Sequence, residues 1–271
     1  MRVGADYYGY SGGPDVSDCI IIVIHFPRPR FPMRRIQIIG LVVAVVLVGA
    51  TTVYFAIPSL LNGPSCGGGV YSAQISGQVS VDELGQPLYN LTFTRNGVQE
   101  RGLYYGFMSA SMSWIKANTP STAVFMTWWD YGKEIVGCTG RSSIISNPSA
   151  RFVSLGFTAK TTELDPEQSL IDVGTALFAT NATLSHSIAA RFGAGYLLIT
   201  VEDGGEKAPY ILRYLGLRPA DYITSNSTAF SSLAWTTLGQ QTMIYRLSAG
   251  ETVPGFTQVY SDAYVKVYSI G

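Results

Sequence analysis

The chain has 271 residues and a formal net charge of zero, with 47% hydrophobic and only 13% charged residues. A neutral chain carries no global field for nucleic acid, which argues against a nucleic-acid binder. Charged content lies well under the ~25% of soluble domains, a deficit that a membrane segment explains in part. Cysteines stand only at Cys19, Cys66 and Cys138 and histidines at His25 and His186, with no Cys-x-x-Cys pair, which argues against a zinc site.

Residues 1–35 are Gly-, Pro- and Tyr-rich, then carry the run Cys19 to Phe26, too short to span a bilayer. Arg28, Arg30, Arg34 and Arg35 follow, and the segment reads as a poorly defined cytoplasmic lead-in. Residues 36–58, IQIIGLVVAVVLVGATTVYFAIP, carry no charge. At about 1.5 Å per residue this stretch crosses a hydrocarbon core of roughly 30 Å. It is longer than a signal-peptide apolar region and starts further in, so it reads as a retained transmembrane helix. The arginines lie before it and no Lys or Arg follows until Arg95, which puts the N-terminus in the cytoplasm and residues 59–271 outside.

Asn62 to Gly69 reads as a flexible linker. If Cys66 and Cys138 both lie outside the membrane they can pair, although the sequence does not show whether the geometry permits it. Tyr71 to Thr94 reads as short strands, with turns at Gly85-Gln86-Pro87 and Asn96-Gly97. Helices are predicted over Gly106 to Ala117, Pro166 to Phe178, Ser185 to Phe192 and Tyr210 to Leu215, with another starting near Lys133 to Val136. Strands are predicted over Ala123 to Thr127, Ser142 to Ile145, Gly195 to Val201 and Thr242 to Leu247, and a hairpin over Phe256 to Ile270 around Asp262. The fold class is therefore a mixed α/β globular domain preceded by one transmembrane helix.

The stretch Trp128-Trp129-Asp130-Tyr131-Gly132 stands out. Two indole N–H groups donate only, and an ionised carboxylate accepts only. Together they suit a site that donates to and accepts from one hydroxyl. Gly132 allows a turn or a close backbone approach. The cluster follows a buried strand, at the end where ligand sites of α/β sheets commonly lie. The plainer reading is core packing around a satisfied acid.

These residues, with Trp114 to Pro120 before them, Gly137 through Arg141, Gly195 through Val201 and the ending Val259-Tyr260-Ser261 with Val265 to Tyr268, resemble the C-terminal part of the catalytic subunit of oligosaccharyltransferase, archaeal type. The resemblance runs from about residue 33 to the end and would make the chain the last transmembrane helix plus the globular domain. It implies a glycosyltransferase that moves a lipid-linked glycan onto asparagine in Asn-x-Ser/Thr sequons. In that family the Trp-Trp-Asp triplet holds the sequon hydroxyl, which assigns Trp128, Trp129 and Asp130 to sequon binding. A second family element, Asp-x-x-Lys-x-x-x-Met/Ile, matches Lys207 and Ile211 in spacing. Asp203 stands one residue too far upstream for its acid, and Pro209 fits only in a first helical turn. Ile211 is expected beside a threonine methyl. A mere solvated charge is the alternative for Lys207.

The resemblance further implies a Mn²⁺ or Mg²⁺ cofactor, with ligands on a multi-helix membrane half that this chain does not carry. The chain is thus expected to bind an acceptor polypeptide and to meet the lipid-linked oligosaccharide through that missing half, without transferring glycan alone. The competing reading is a single-span surface protein that binds peptide or sugar without catalysis. Asn90-Leu91-Thr92, Asn181-Ala182-Thr183 and Asn226-Ser227-Thr228 are themselves sequons. Glu163, Asp165 and Glu167 read as acids at a helix start rather than as a metal patch.

Overall fold

A computed structural model describes Cys66 and residues 73–271 other than 83–84, 159–160, 162 and 225–233. The predicted lead-in, the span over 36–58 and the Asn226 sequon lie outside the described residues, within which no helix is long and apolar enough to cross a membrane.

The first three strands form an antiparallel meander: β1 (Gln74–Val81), β2 (Pro87–Arg95) and β3 (Val98–Tyr105). Asn96 and Gly97, at φ 52° and 77°, make the two-residue turn between β2 and β3. Left-handed geometry at both positions matches the twist of the flanking strands, and Asn-Gly tolerates it. A single 3₁₀ turn over Gly106–Met108 leads into α1 (Ser109–Asn118), which stops before Pro120.

Then comes β4 (Val124–Met126), followed by α2 (Trp129–Glu134) and one turn of π-helix over Ile135–Thr139. The chain continues through β5 (Ser142–Ser143), α3 (Ala150–Ser154), α4 (Glu167–Phe178), α5 (Ala182–Arg191), β6 (Tyr196–Thr200) and α6 (Ala208–Tyr214). The short α7 (Pro219–Tyr222) and α8 (Thr237–Gln240) precede α9 (Met243–Ser248), β7 (Phe256–Ser261) and β8 (Val265–Ile270).

The second sheet has the order β5-β4-β6-β8-β7, with β5 and β6 parallel to β4 and with β8 antiparallel to both β6 and β7. Side chains alternate across a strand, so each strand feeds two cores. Phe125, Leu198, Val265 and Val267 face a core shared with Leu91 and Phe93 of the meander and with Met108, Met112 and Ile115. Met126, Leu197, Ile199 and Tyr268 face the other, built with α4, α5, α6 and α9. Among the described residues the mixed α/β class thus takes the form of two sheets, the larger covered on both faces.

One expectation is corrected. Residues 242–247 are not a strand: Thr242 caps α9 by accepting from the Tyr245 N–H, and Met243, Ile244 and Leu247 are buried along one helical face. A short apolar run does not by itself separate strand from helix, and here the threonine cap decides it. Cys66 and Cys138 form a disulfide, with their Cα atoms 4.7 Å apart.

Candidate functional site

The Trp-Trp-Asp-Tyr-Gly cluster straddles a change of backbone. Trp128 is extended (φ −66°, ψ 150°), and the helix α2 starts at the next residue. The cluster therefore occupies a first helical turn, and its side chains diverge. Trp128, 2% exposed, sits edge-on to Phe152 and Tyr214 in the helical core, with ring centroids 5.8 and 6.5 Å away. Trp129 lies half-buried against Phe152 at 5.9 Å. Tyr131 is fully buried in the opposite core, edge-on to Tyr105. Gly132 is required by close approach: a Cβ there would overlap the Ile145 carbonyl, where the chain leaving β5 passes α2.

Lys207 closes the site from the other side. It caps α6, and Pro209 falls in that helix's first turn, where a missing N–H costs nothing. The Lys207 ammonium lies 3.1 Å from Asp130 Oδ2 and 2.9 Å from Glu202 Oε2, and donates to Tyr131 Oη at 2.7 Å. It also sits 4.1 Å from the Tyr131 ring centroid and 5.1 Å from that of Tyr105. Tyr131 Oη in turn donates to Glu202 Oε2 at 2.6 Å and meets Thr200 Oγ1 at 2.8 Å. Asp203 turns back instead: its Oδ2 accepts from the Thr200 N–H at 2.9 Å. Of the two acids in the loop after β6, the one in contact with Lys207 is therefore Glu202, the neighbour of Asp203 in sequence.

Burial governs the protonation of these groups. It pushes the Asp130 carboxyl up, opposed by Lys207, and raises Asp203 to about 7. It raises Glu134 well above the usual carboxylate range, against the Tyr105 N–H that donates to it at 2.9 Å. For Lys207 burial acts downward, yet Asp130, Tyr105, Glu202 and Asp203 outweigh it and hold the ammonium well above its ordinary value. Lys207 is therefore a fixed cation inside an acidic shell.

Trp129 and Asp130 border a cleft of about 300 Å³, whose walls include Tyr105, Lys133, Ser146 and Glu163. The Trp129 indole N–H is buried and has no hydrogen-bond partner. Buried donors are nearly always satisfied, so this one stands out. Of the residues named from the sequence, the structure puts Trp129 and Asp130 on the cleft and pairs Asp130 with Lys207 behind it. Trp128 and Ile211 stand behind them: Ile211 is fully buried in the helical core, close to Gly174 of α4, and does not line the cleft. Glu202, Tyr105, Thr200 and Lys133 were not singled out by the sequence, although Glu202 opens the acidic loop after β6.

Among the described residues no group of three or more His, Cys, Asp or Glu is placed to hold a metal ion. The Lys207 ammonium fills the space between Asp130 and Glu202 where a cation would sit. The acids near α4 separate: Glu163 pairs with Lys133, Asp165 accepts from the Asn147 N–H at 2.7 Å, and Glu167 pairs with Arg151 at 3.1 Å.

No protein-family model and no curated protein matches the sequence. Solved structures do. One is the C-terminal globular domain of oligosaccharyltransferase from Archaeoglobus fulgidus, at 17% identity and a TM-score of 0.42, over 60% of this chain and 95% of that one. The neighbours described here are oligosaccharyltransferases of Archaeoglobus fulgidus. Another is AglB of the same organism in complex with an inhibitory peptide and a dolichol-phosphate, at 15% identity and TM-score 0.42, over 56% of this chain and 22% of that one. A third is the Archaeoglobus fulgidus enzyme tethered to an acceptor peptide containing the NVT sequon, at 15% identity and TM-score 0.35, over 54% of this chain and 19% of that one. The chain thus spans nearly all of the isolated domain and about a fifth of the longer chains.

Proposed function

We propose that this chain is the acceptor-reading part of an oligosaccharyltransferase, binding Asn-x-Ser/Thr through the sequon hydroxyl. The observation that carries the reading is the pairing of an unpartnered Trp129 indole N–H with the Asp130 carboxylate beside one cleft. One group donates and the other accepts, which is what a hydroxyl needs. The Trp129 N–H is covered in this structure, so a ligand must displace part of the cleft wall to reach it. Trp128 and Ile211 support the site from the core, and Lys207 fixes Asp130. The described residues are assigned acceptor binding and not bond-making. The membrane span over 36–58, the extracytoplasmic placement of 59–271, the lipid-linked glycan donor and the Mn²⁺ or Mg²⁺ of the membrane half belong to the same proposal.

Its test is calorimetric titration of the chain with an Asn-x-Thr peptide and its Asn-x-Ala counterpart. A site built around a hydroxyl rejects the ligand lacking it, because its own polar groups are left unpaired. Equal affinity for the two peptides would instead favour the rival reading, a single-span surface protein whose cleft binds peptide or sugar without catalysis.

A further inference from the structure

Glu202 lies in neither sequence motif, yet it is the most deeply buried acid in contact with Lys207, its side chain 1% exposed. Its Oε2 serves two partners, the Lys207 ammonium at 2.9 Å and the Tyr131 hydroxyl at 2.6 Å. Tyr131 Oη accepts from Lys207 at 2.7 Å, so Lys207, Tyr131 and Glu202 close a three-membered ring of hydrogen bonds. Further contacts hold the ring, while Glu202 Oε1 is buried without a hydrogen-bond partner. The Tyr105 and Tyr131 rings cover the ammonium, Thr200 Oγ1 meets the Tyr131 hydroxyl, and the backbone N–H of Lys207 donates to the Glu202 carbonyl at 3.0 Å. Asp130 approaches this ring through Oδ2, at 3.1 Å from Lys207.

We propose that Glu202, resting on the acceptor-site reading above, is a positioning residue of that site: with Tyr131 it anchors the Lys207 ammonium, and the anchored ammonium holds Asp130 by Oδ2 so that Oδ1 is left to accept from the sequon hydroxyl. Asp130 alone is a poor choice for a fixed acceptor, because a carboxylate swings about its terminal torsion. A charge-assisted contact to one oxygen removes that freedom. A lysine held by Asp130 alone would swing with it. Glu202 and Tyr131 supply the second and third contacts that make the cation a fixed point. The charged groups facing Lys207 are Asp130 from α2 and Glu202 and Asp203 from the loop after β6, with the tyrosines Tyr131 and Tyr105. Of the acids, Asp203 is committed to Thr200 and Asp130 is the group to be positioned, which leaves Glu202 as the anchor.

The test uses the full chain with Glu202→Gln, which keeps an amide oxygen in place and removes the charge. Two quantities are read. One is the ratio of affinities for Asn-x-Thr and Asn-x-Ala peptides. The other is the slowly exchanging ¹H–¹⁵N signal of the Lys207 ammonium at neutral pH, which three oxygen contacts should protect. The expected result is loss of the ammonium signal and a fall of the Thr/Ala ratio by about tenfold, the factor that 1.4 kcal/mol represents. Asn-x-Ala affinity should stay unchanged, and Glu202→Asp should restore part of the ratio. Retention of the signal overturns the anchor. Loss of the signal with the ratio intact makes Glu202 merely structural and also overturns the proposal. A wild-type chain that fails to prefer Asn-x-Thr removes the acceptor reading itself, while the signal still decides the anchor. Should Glu202→Gln not fold, Glu202→Asp, which draws the carboxylate back from the ammonium by one methylene, is read in its place: a partial fall of both the signal and the ratio is expected, and either quantity unchanged overturns the proposal.

Discussion

The Lys207 ammonium stands 3.1 Å from Asp130 Oδ2, so two residues far apart in the chain form one ion pair in which each side chain is only 15% exposed. A buried charge left without its partner is costly, typically 3–5 kcal/mol. Lys207→Met should therefore lower the free energy of unfolding by about 3 kcal/mol. Asp130→Asn in the same chain should recover part of this, and a double-mutant cycle in urea measures the coupling. A cycle with no coupling energy would mean that the pair does not interact in solution.

Asp203 predicts how stability depends on pH. Its carboxyl titrates near 3.8 when unfolded and is raised to about 7 by burial in the fold. An acid raised in this way favours the folded state while protonated. Its contribution is fully present below about pH 4 and is lost as pH rises to about 7. The upward displacements of Asp130 and Glu134 act in the same direction. Asp203→Asn, which keeps an acceptor for the Thr200 N–H, should flatten the decline and stabilise the domain at pH 8 by a few kcal/mol, since a tenfold change in proton affinity is worth about 1.4 kcal/mol. Denaturant melts at pH 5, 6, 7 and 8 check this, and a wild-type curve that rises through that range would oppose it.

Gly132 tests the crossing of α2 under the chain around β5. Gly132→Ala places a methyl group on the Ile145 carbonyl, a backbone atom that cannot rotate away. Overpacking of this kind costs about 1–3 kcal/mol, and the upper end is expected here. The melting temperature should fall by several degrees, with the far-ultraviolet circular dichroism of the folded state unchanged.

The disulfide ties the segment before β1 to the π-turn after α2 across 72 residues. Closing a loop of that length is worth about 4 kcal/mol by the chain-entropy model. Thermal melts with and without reductant should differ accordingly, and Cys138→Ala should match the reduced form.

How much of this is legible in the sequence varies with the chemistry involved. The β4 strand and the cluster after it are readable because a short apolar run abuts an unusual polar-aromatic group. Lys207 and Ile211 are readable by spacing, but their fates are not. Ile211 turns inward because α6 lays that face on α4, a matter of packing. The adjacent tryptophans look equivalent in sequence, yet the switch from extended backbone at Trp128 to helix at Trp129 sends one into the core and the other to the cleft. Glu202 is hidden by the turn over Glu202 to Lys207, which folds its side chain back onto the ammonium. The helix over Met243–Ser248 reads as a strand because its apolar run is too short to show a period.

In the proposed site Trp129 and Asp130 together read a hydroxyl, and peptide affinity in the wild-type chain and in Asp130→Ala measures this. Leaving a buried polar group unpaired costs about 1–3 kcal/mol, so the wild-type chain should bind Asn-x-Thr roughly tenfold or more tighter than Asn-x-Ala. In Asp130→Ala the two affinities should converge, through weaker binding of the threonine peptide alone. A threonine preference that survives in Asp130→Ala, or that is absent from the wild-type chain, would contradict the account.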